Sequence, residues 1–231
     1  MLERLAIDRG AILYDPRRVP EPGAKMFDPA HWRARGAARE LAAGRGSILL
    51  IEDGRLSWVL RRYLRGGFAA RFARDLYLWL GEERTRSFRE LRLLAALRAQ
   101  GLPVPVPVAG CYRRSGLAYR AELLTERLVG VRSLEDVLAG GGMEGARWAA
   151  VGRCLRRFHD AGVQHADLNA RNILLGPDDG VWVLDFDRGR LRRPGAWRRR
   201  VLERLERSLV KSFPVQGWRA GFEILRRAHD G

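Results

Sequence analysis

The sequence predicts an α+β protein in two lobes, strand-rich over residues 1–127 and helix-rich over residues 128–231. Three observations carry that prediction. Before residue 127 the apolar residues come in short runs broken by turn formers. Ile48-Leu49-Leu50-Ile51, Asp53-Gly54 and Leu56 to Tyr63 form one such strand–turn–strand pattern. Beyond residue 128 apolar residues recur every three or four positions, the spacing that gathers them on one helix face. At 231 residues, 46% hydrophobic and 30% charged, the chain is long enough to bury a core and lies outside the composition of disordered chains.

The opening segment MLERLAIDRG is charged throughout and has no apolar signal core, and no apolar run approaches bilayer length. A cytoplasmic location is therefore expected. After the hairpin a helix is predicted with Phe68, Phe72, Leu76 and Trp79 on one face, and a second over residues 86–100 with Phe88, Leu91, Leu94, Ala95 and Leu97 facing inward. Gly101 ends it, and Pro103, Pro105 and Pro107 allow only extended or edge-strand backbone. Ala121 to Thr125 reads as a buried strand and Glu126 to Gly130 as the connection between lobes. The second half reads as helices at Leu134–Leu138 and Ala146–Ala161, a loop at 163–172, and a hairpin of Ile173–Leu175 with Val181–Leu184 around the turn Pro177-Asp178-Asp179-Gly180. Two helices separated near Pro214 fill residues 193–231.

The formal charge of +16 points to polyanions, whether phosphates, nucleic acid or an anionic membrane surface. Lys25 and Lys211 are the only lysines among 43 basic residues, so a base-composition bias and a plain solvated basic surface are the simpler alternative. No RNP-type or zinc-finger pattern is present, and nucleic acid is not an expected partner. Cys111 and Cys154 have neither metal spacing nor a framework of pairs, and read as buried thiols.

The chemistry concentrates in His165-Ala166-Asp167-Leu168-Asn169-Ala170-Arg171-Asn172, with Asp185-Phe186-Asp187 beginning thirteen residues after Asn172. Order and spacing resemble the catalytic loop, H-x-D-x-x-x-x-N, and the D-F-x metal motif of protein-kinase-like phosphotransferases. Phosphoryl transfer needs a carboxylate to orient the acceptor hydroxyl and take its proton, and oxygen ligands to hold Mg²⁺ against the phosphates of ATP. Asp167 suits the first role, Asn172 and Asp185 the second; the plainer alternatives are loop caps and a turn former. In that family the counterpart of His165 mainly braces the loop, with acid–base catalysis the other possibility. Arg171 either faces the γ-phosphate or covers the surface. Ala166 replaces the arginine through which activation-loop phosphorylation usually acts, so that form of control is not expected.

The first half adds ordered support. Gly44-x-Gly46 before a strand pair lets backbone N–H groups approach phosphates. Where the family commonly has a strand lysine stands Val59-Leu60-Arg61, so Arg61 is the candidate for the phosphates and Arg62 its alternative; successive strand residues face opposite ways. Glu90 would pair with that cation, unless it closes a capping box with Ser87. Glu126 to Leu128 is where the family offers backbone groups to adenine.

Only 44 residues follow Asp187 and no A-P-E segment is present, which implies a protein-kinase-like fold with a truncated helical C-lobe and a small or lipid-linked acceptor. The chain further resembles the 3-deoxy-D-manno-octulosonic acid (Kdo) kinase family along nearly its whole length. The resemblance rests on Met26-Phe27-Asp28-Pro29-Ala30-His31-Trp32, Leu60-Arg61-Arg62-Tyr63-Leu64-Arg65-Gly66-Gly67, Arg84-Thr85-Arg86-Ser87-Phe88-Arg89-Glu90 and Gly101-Leu102-Pro103-Val104-Pro105, besides the two motifs. It implies transfer of the ATP γ-phosphate to the 4-hydroxyl of Kdo on a lipid A-linked acceptor, at the cytoplasmic face of the inner membrane. A heptose or aminoglycoside kinase of the same fold, or a non-catalytic basic lipid- or RNA-binding pseudokinase, are the other readings. The apolar stripe Trp197, Val201, Leu205 and Leu209, with Arg198, Arg199, Arg204 and Arg207 largely off it, suggests a helix that lies on anionic lipid or packs on the helical lobe.

Overall fold

The computed structural model describes residues 1–43, 46–64, 75–215 and 217–231. It forms two compact units: Met1–Ala96 with Val106–Arg127, and Leu97–Pro105 with Leu128–Gly231. The segment Leu97–Pro105, expected in the first lobe, thus belongs to the second unit. Its carbonyls tie it there: Arg157 donates to Gly101 O at 2.7 Å, and Val183 N to Pro103 O at 3.0 Å. Prolines lack the N–H that would enter a ladder, but their carbonyls still accept.

Unit 1 is an antiparallel sheet with helices. Its strands are β1 (Glu3–Ile7), β2 (Gly10–Tyr14), β3 (Ala38–Ala43), β4 (Gly46–Asp53), β5 (Leu56–Arg62), β6 (Tyr77–Leu78), β7 (Pro107–Ser115) and β8 (Ala118–Glu126), with α1 at Pro29–Ala34 and all but the last turn of α2 (Arg86–Ala99). The main order is β1-β2-β7-β8-β5-β4-β3, and β6 pairs with β8. The predicted hairpin is β4–β5, in register from Ile48↔Arg61 to Asp53↔Leu56. The helix predicted through Phe68, Phe72, Leu76 and Trp79 falls partly outside the described residues; where described, Tyr77–Leu78 is a strand, not a helix, in register Tyr77↔Tyr119. The charged opening segment supplies β1, half-exposed at the sheet edge, where apolar alternation is not required.

Alternation along β4 and β5 sends Leu49, Ile51, Trp58 and Leu60 into a core shared with Ile12, Phe27, Trp32, Val108 and Leu124. Asp28 caps α1 by accepting from Ala30 N at 2.9 Å, Pro29 occupies the first turn, and the buried Trp32 donates its indole N–H to Met26 O. On α2, Phe88, Leu91, Leu94 and Leu97 are buried, as the helical spacing predicts. Cys111 is buried and free, its thiol pushed up to about 12 by burial.

Unit 2 contains α3 (Leu134–Ala139), α4 (Gly145–Asp160), α5 (Trp197–Ser212), α6 (Arg219–Asp230) and the short strands β9 (Arg132–Ser133), β10 (Val163–Gln164), β11 (Ile173–Leu175), β12 (Val181–Val183) and β13 (Arg190–Leu191). β12-β11-β9 form one small sheet and β10-β13 another. The β11–β12 turn places Asp178 and Asp179 at positive φ, which aspartate tolerates better than most residues. Helices α4 and α6 touch at two glycines. A Cβ on Gly152 would stand 2.2 Å from the Leu225 carbonyl oxygen, and one on Gly221 would stand 2.0 Å from the indole nitrogen of buried Trp148. The apolar stripe of α5, Trp197, Val201, Leu205 and Leu209, is buried within this unit. Cys154 is buried and free, its thiol also pushed up to about 12 by burial. No described helix is long and apolar enough to cross a membrane.

Candidate active site

The loop between β10 and β11 is fixed through its backbone. His165 is buried and both ring nitrogens are engaged: Nε2 lies 2.8 Å from Leu184 O, and Asp167 N lies 3.2 Å from Nδ1. A carbonyl can only accept and a backbone N–H can only donate, so the ring is the neutral tautomer with its proton on Nε2. Burial pushes its basicity down, against the opposing effects of the Leu184 carbonyl and the Asp185 charge. A ring held at both nitrogens in this way is a brace, and acid–base work by His165 has no free nitrogen to use. Asn169 and Asn172 each donate a side-chain N–H to Asp167 O, at 2.9 and 3.0 Å. Asn169 also accepts from Arg171 N, capping the short 3₁₀ turn Ala170–Asn172.

The Asp185-Phe186-Asp187 segment is fastened to this loop on both sides of Leu184. Leu184 N donates to Asn172 O at 2.8 Å, and Leu184 O takes the His165 ring N–H. Phe186, buried, stacks on Phe158 with centroids 5.7 Å apart and meets the His165 ring edge-on at 4.9 Å. Between them Asp185 is held at φ 63, a left-handed conformation that a non-glycine residue adopts at some cost and that recurs at functional sites. The Asn172 amide nitrogen faces the Asp167 carbonyl, which turns its Oδ1 the other way; that oxygen and the Asp185 carboxylate are hard donors of the kind Mg²⁺ takes.

Asp167 itself is half-exposed at the side chain, and Oδ1 accepts from Arg204 of α5, with Nε at 2.9 Å and Nη2 closer. Arg171, expected either at a phosphate or on the surface, lies on the surface and is paired with Glu135 of α3, whose hydrogen bond and charge raise its basicity. Arg204 had no local signal in the sequence, because its partner lies 37 positions away.

In unit 1, Arg61 and Arg62 part ways. Arg61 pairs with the buried Glu90 of α2, which also accepts from the Tyr63 hydroxyl at 2.6 Å. The Arg61 guanidinium lies 4.9 Å from the Tyr63 ring centroid. Arg62 turns to the other face and meets Glu122, directly opposite on β8, together with Arg113. Burial raises the Glu122 carboxyl despite the two arginines. Ser87 lies inside α2 and donates to Cys111 O at 2.8 Å, so it forms no capping box with Glu90. Tyr63 was missed by the sequence reading, although it stands two residues on from Arg61 and so shares its face. Gly44 lies outside the described residues, and Gly46 opens β4 opposite Ala43. β8 ends at Glu126, whose carboxylate pairs with Arg18 and whose N–H reaches Val106 O; Leu128 follows outside the ladder.

In unit 2 a braced loop bearing Asp167 is tied through Leu184 to the segment that carries Asp185, an arrangement that phosphoryl transfer uses, and the chain is a phosphotransferase of the kinase class. Comparison with known proteins narrows this. Residues 29–223 match the model of the lipopolysaccharide kinase (Kdo/WaaP) family, and the chain belongs to that family. A 3-deoxy-D-manno-octulosonic acid kinase of Stenotrophomonas maltophilia (strain R551-3) is 49% identical over 226 residues, covering 96% of this chain and 90% of the relative. The kinase of the same name from Xanthomonas euvesicatoria pv. vesicatoria (strain 85-10) is 51% identical over 203 residues, 87% and 81% of the two chains. That of Xylella fastidiosa (strain M12) is 47% identical over 228 residues, 96% and 90%.

Proposed function

We propose that this chain transfers the γ-phosphate of ATP to the 4-hydroxyl of Kdo on a lipid A-linked inner-core acceptor of lipopolysaccharide, working at the cytoplasmic face of the inner membrane. The observation that carries the reaction type is the double clamp on Leu184, which holds the loop of Asp167 and Asn172 against Asp185. The relatives' shared name supports Kdo as the acceptor sugar.

Under this reading Asp167 receives the proton of the acceptor hydroxyl. Asn172 and Asp185 would hold Mg²⁺. Oxygen donors of these two kinds suit a cation shared with the nucleotide's own phosphate oxygens. When bound, the cation would supply positive charge to the β- and γ-phosphates. Arg61, oriented by Glu90 and Tyr63, supplies a guanidinium to the phosphates, and its planar donors suit that task. Gly44, Gly46, Glu126 and Leu128 remain the candidates for backbone contacts to the nucleotide. The charge of +16 suits an anionic, membrane-borne acceptor.

The test is labelled ATP with Kdo-bearing lipid A precursor, heptosylated core and an aminoglycoside side by side. Label is expected in the first alone, at the Kdo 4-position on chemical degradation. Label only in the heptosylated core or the aminoglycoside would reassign the acceptor, and no transfer to any of them would leave the pseudokinase reading.

A further inference from the structure

We propose that Arg204 is the positioning residue of the phosphotransfer carboxylate: it captures one oxygen of Asp167 and so aims the other at the acceptor hydroxyl. This deepens the phosphotransfer reading and rests on it. The backbone of Asp167 is fixed at both ends of the residue, since its N–H is taken by His165 Nδ1 and its carbonyl by Asn169 and Asn172. Rotation of the side chain is the freedom that remains. Both Arg204 bonds fall on Oδ1, which leaves Oδ2 for a substrate. A forked pair would have occupied both oxygens and blocked the site.

Arg204 is also registered by its helix. Ser208 Oγ accepts from Ala170 N at 3.1 Å, and Ser212 Oγ donates to Glu135 Oε1 at 2.7 Å, while Glu135 holds Arg171. Residues 204, 208 and 212 are spaced four apart and lie along one helix face, so a single strip of α5 meets the loop near its start, its middle and, through Glu135, its end. The loop's own basic residue is engaged with α3, and position 166 is alanine; the guanidinium on the carboxylate comes from α5. As the acceptor oxygen bonds phosphorus and the bond to the ADP oxygen breaks, the hydroxyl proton passes to Oδ2. The guanidinium on Oδ1 keeps that oxygen from rotating into the same place.

The experiment compares R204A, R204K and D167N with wild type, using labelled ATP and Kdo-bearing lipid A precursor. Misplacement of a reacting group by about 1 Å costs on the order of 100-fold, so R204A is expected to lower kcat by about that factor with both KM values changed by less than about threefold. R204K should recover part of the loss, and added guanidinium should raise R204A at least about tenfold. The inference is overturned if R204A keeps kcat within about threefold of wild type, if its loss lies in KM alone, or if guanidinium fails to restore it while R204K is as impaired as R204A. A D167N variant with wild-type turnover would remove the underlying phosphotransfer role of Asp167; a dead D167N beside a fully active R204A would remove only the inference about Arg204.

Discussion

Arg61 and Arg62 are neighbours that serve different chemistry, because successive side chains leave a strand on opposite faces. Under the proposed function R61A should raise the KM for ATP and lower kcat, together at least tenfold in kcat/KM, since a phosphate contact of this type is worth about 1.5–3 kcal/mol. R62A should leave the KM for ATP within about twofold, because its partner Glu122 belongs to the other face of the sheet. Nucleotide titration of both variants checks this, and an equal effect of the two would remove the distinction. D167N should lose two to four orders of magnitude, roughly, in transfer while still binding ATP, because it keeps shape and removes the proton acceptor; single-turnover labelling beside equilibrium nucleotide binding separates the two effects. At this scale the loop at 163–172 was readable in advance as a loop, since its spacing is local. The brace function of His165 needed the structure to show which atoms meet its two nitrogens, and Arg204 needed the fold to bring α5 to the loop.

Helices α4 and α6 approach so closely that neither contact glycine has room for a methyl group. G152A sets a Cβ against backbone, which cannot swing aside, so it should destabilise unit 2 by about 1–3 kcal/mol, seen as a lower urea midpoint. An unchanged midpoint would mean that the helices separate without cost. The same helix pair carries a pH dependence. His159 Nδ1 meets His229 Nε2 at 2.7 Å, and His229 Nδ1 meets Asp230 Oδ1 at 2.8 Å. The His159 imidazole is pushed down to about 3, first by burial and then by the charges of His229 and Arg198, against which Asp160 acts weakly. Its ordinary value is near 6.5, so below that the unfolded chain binds the proton more readily than the folded one. The contribution is therefore whole above about pH 6.5 and is lost as pH falls toward about 3, at up to roughly 1.4 kcal/mol per unit. H159F, which keeps a ring against Trp197, should flatten denaturation midpoints between pH 6.5 and 4.5 relative to wild type. Helices α2 to α6 and the β4–β5 and β11–β12 hairpins were legible as elements because each declares itself locally, whereas α1 was not expected and the helix expected through Leu76 and Trp79 is a strand at Tyr77–Leu78. Strands β1, β2, β3 and β7 were not, since an edge strand tolerates charge and a strand that opens at a proline carries a mixed signal.

For the molecule as a whole, the excess of positive charge is the property that reading the composition gave most directly and that the fold then distributes. Arg198, expected among the lipid-facing cations, is held by Asp160 and the His159 carbonyl, while Arg199, Arg200 and Arg207 are exposed on α5. If that face touches the membrane, each cation adds about 1 kcal/mol, so neutralising those three should weaken binding to anionic vesicles about 100-fold, and added salt should weaken the wild type. Co-sedimentation measures both, and equal binding to neutral vesicles would sink the idea. The strip of α5 that meets the catalytic loop has one more consequence, which concerns timing. Translation delivers residues 165–187 well before Arg204, so a nascent chain carries every motif residue while its aspartate still turns freely. A nascent chain should thus run at a small fraction of its full rate until α5 has emerged and docked, and ribosome-bound chains stalled short of that helix should transfer phosphate at least about 100-fold more slowly than the released protein.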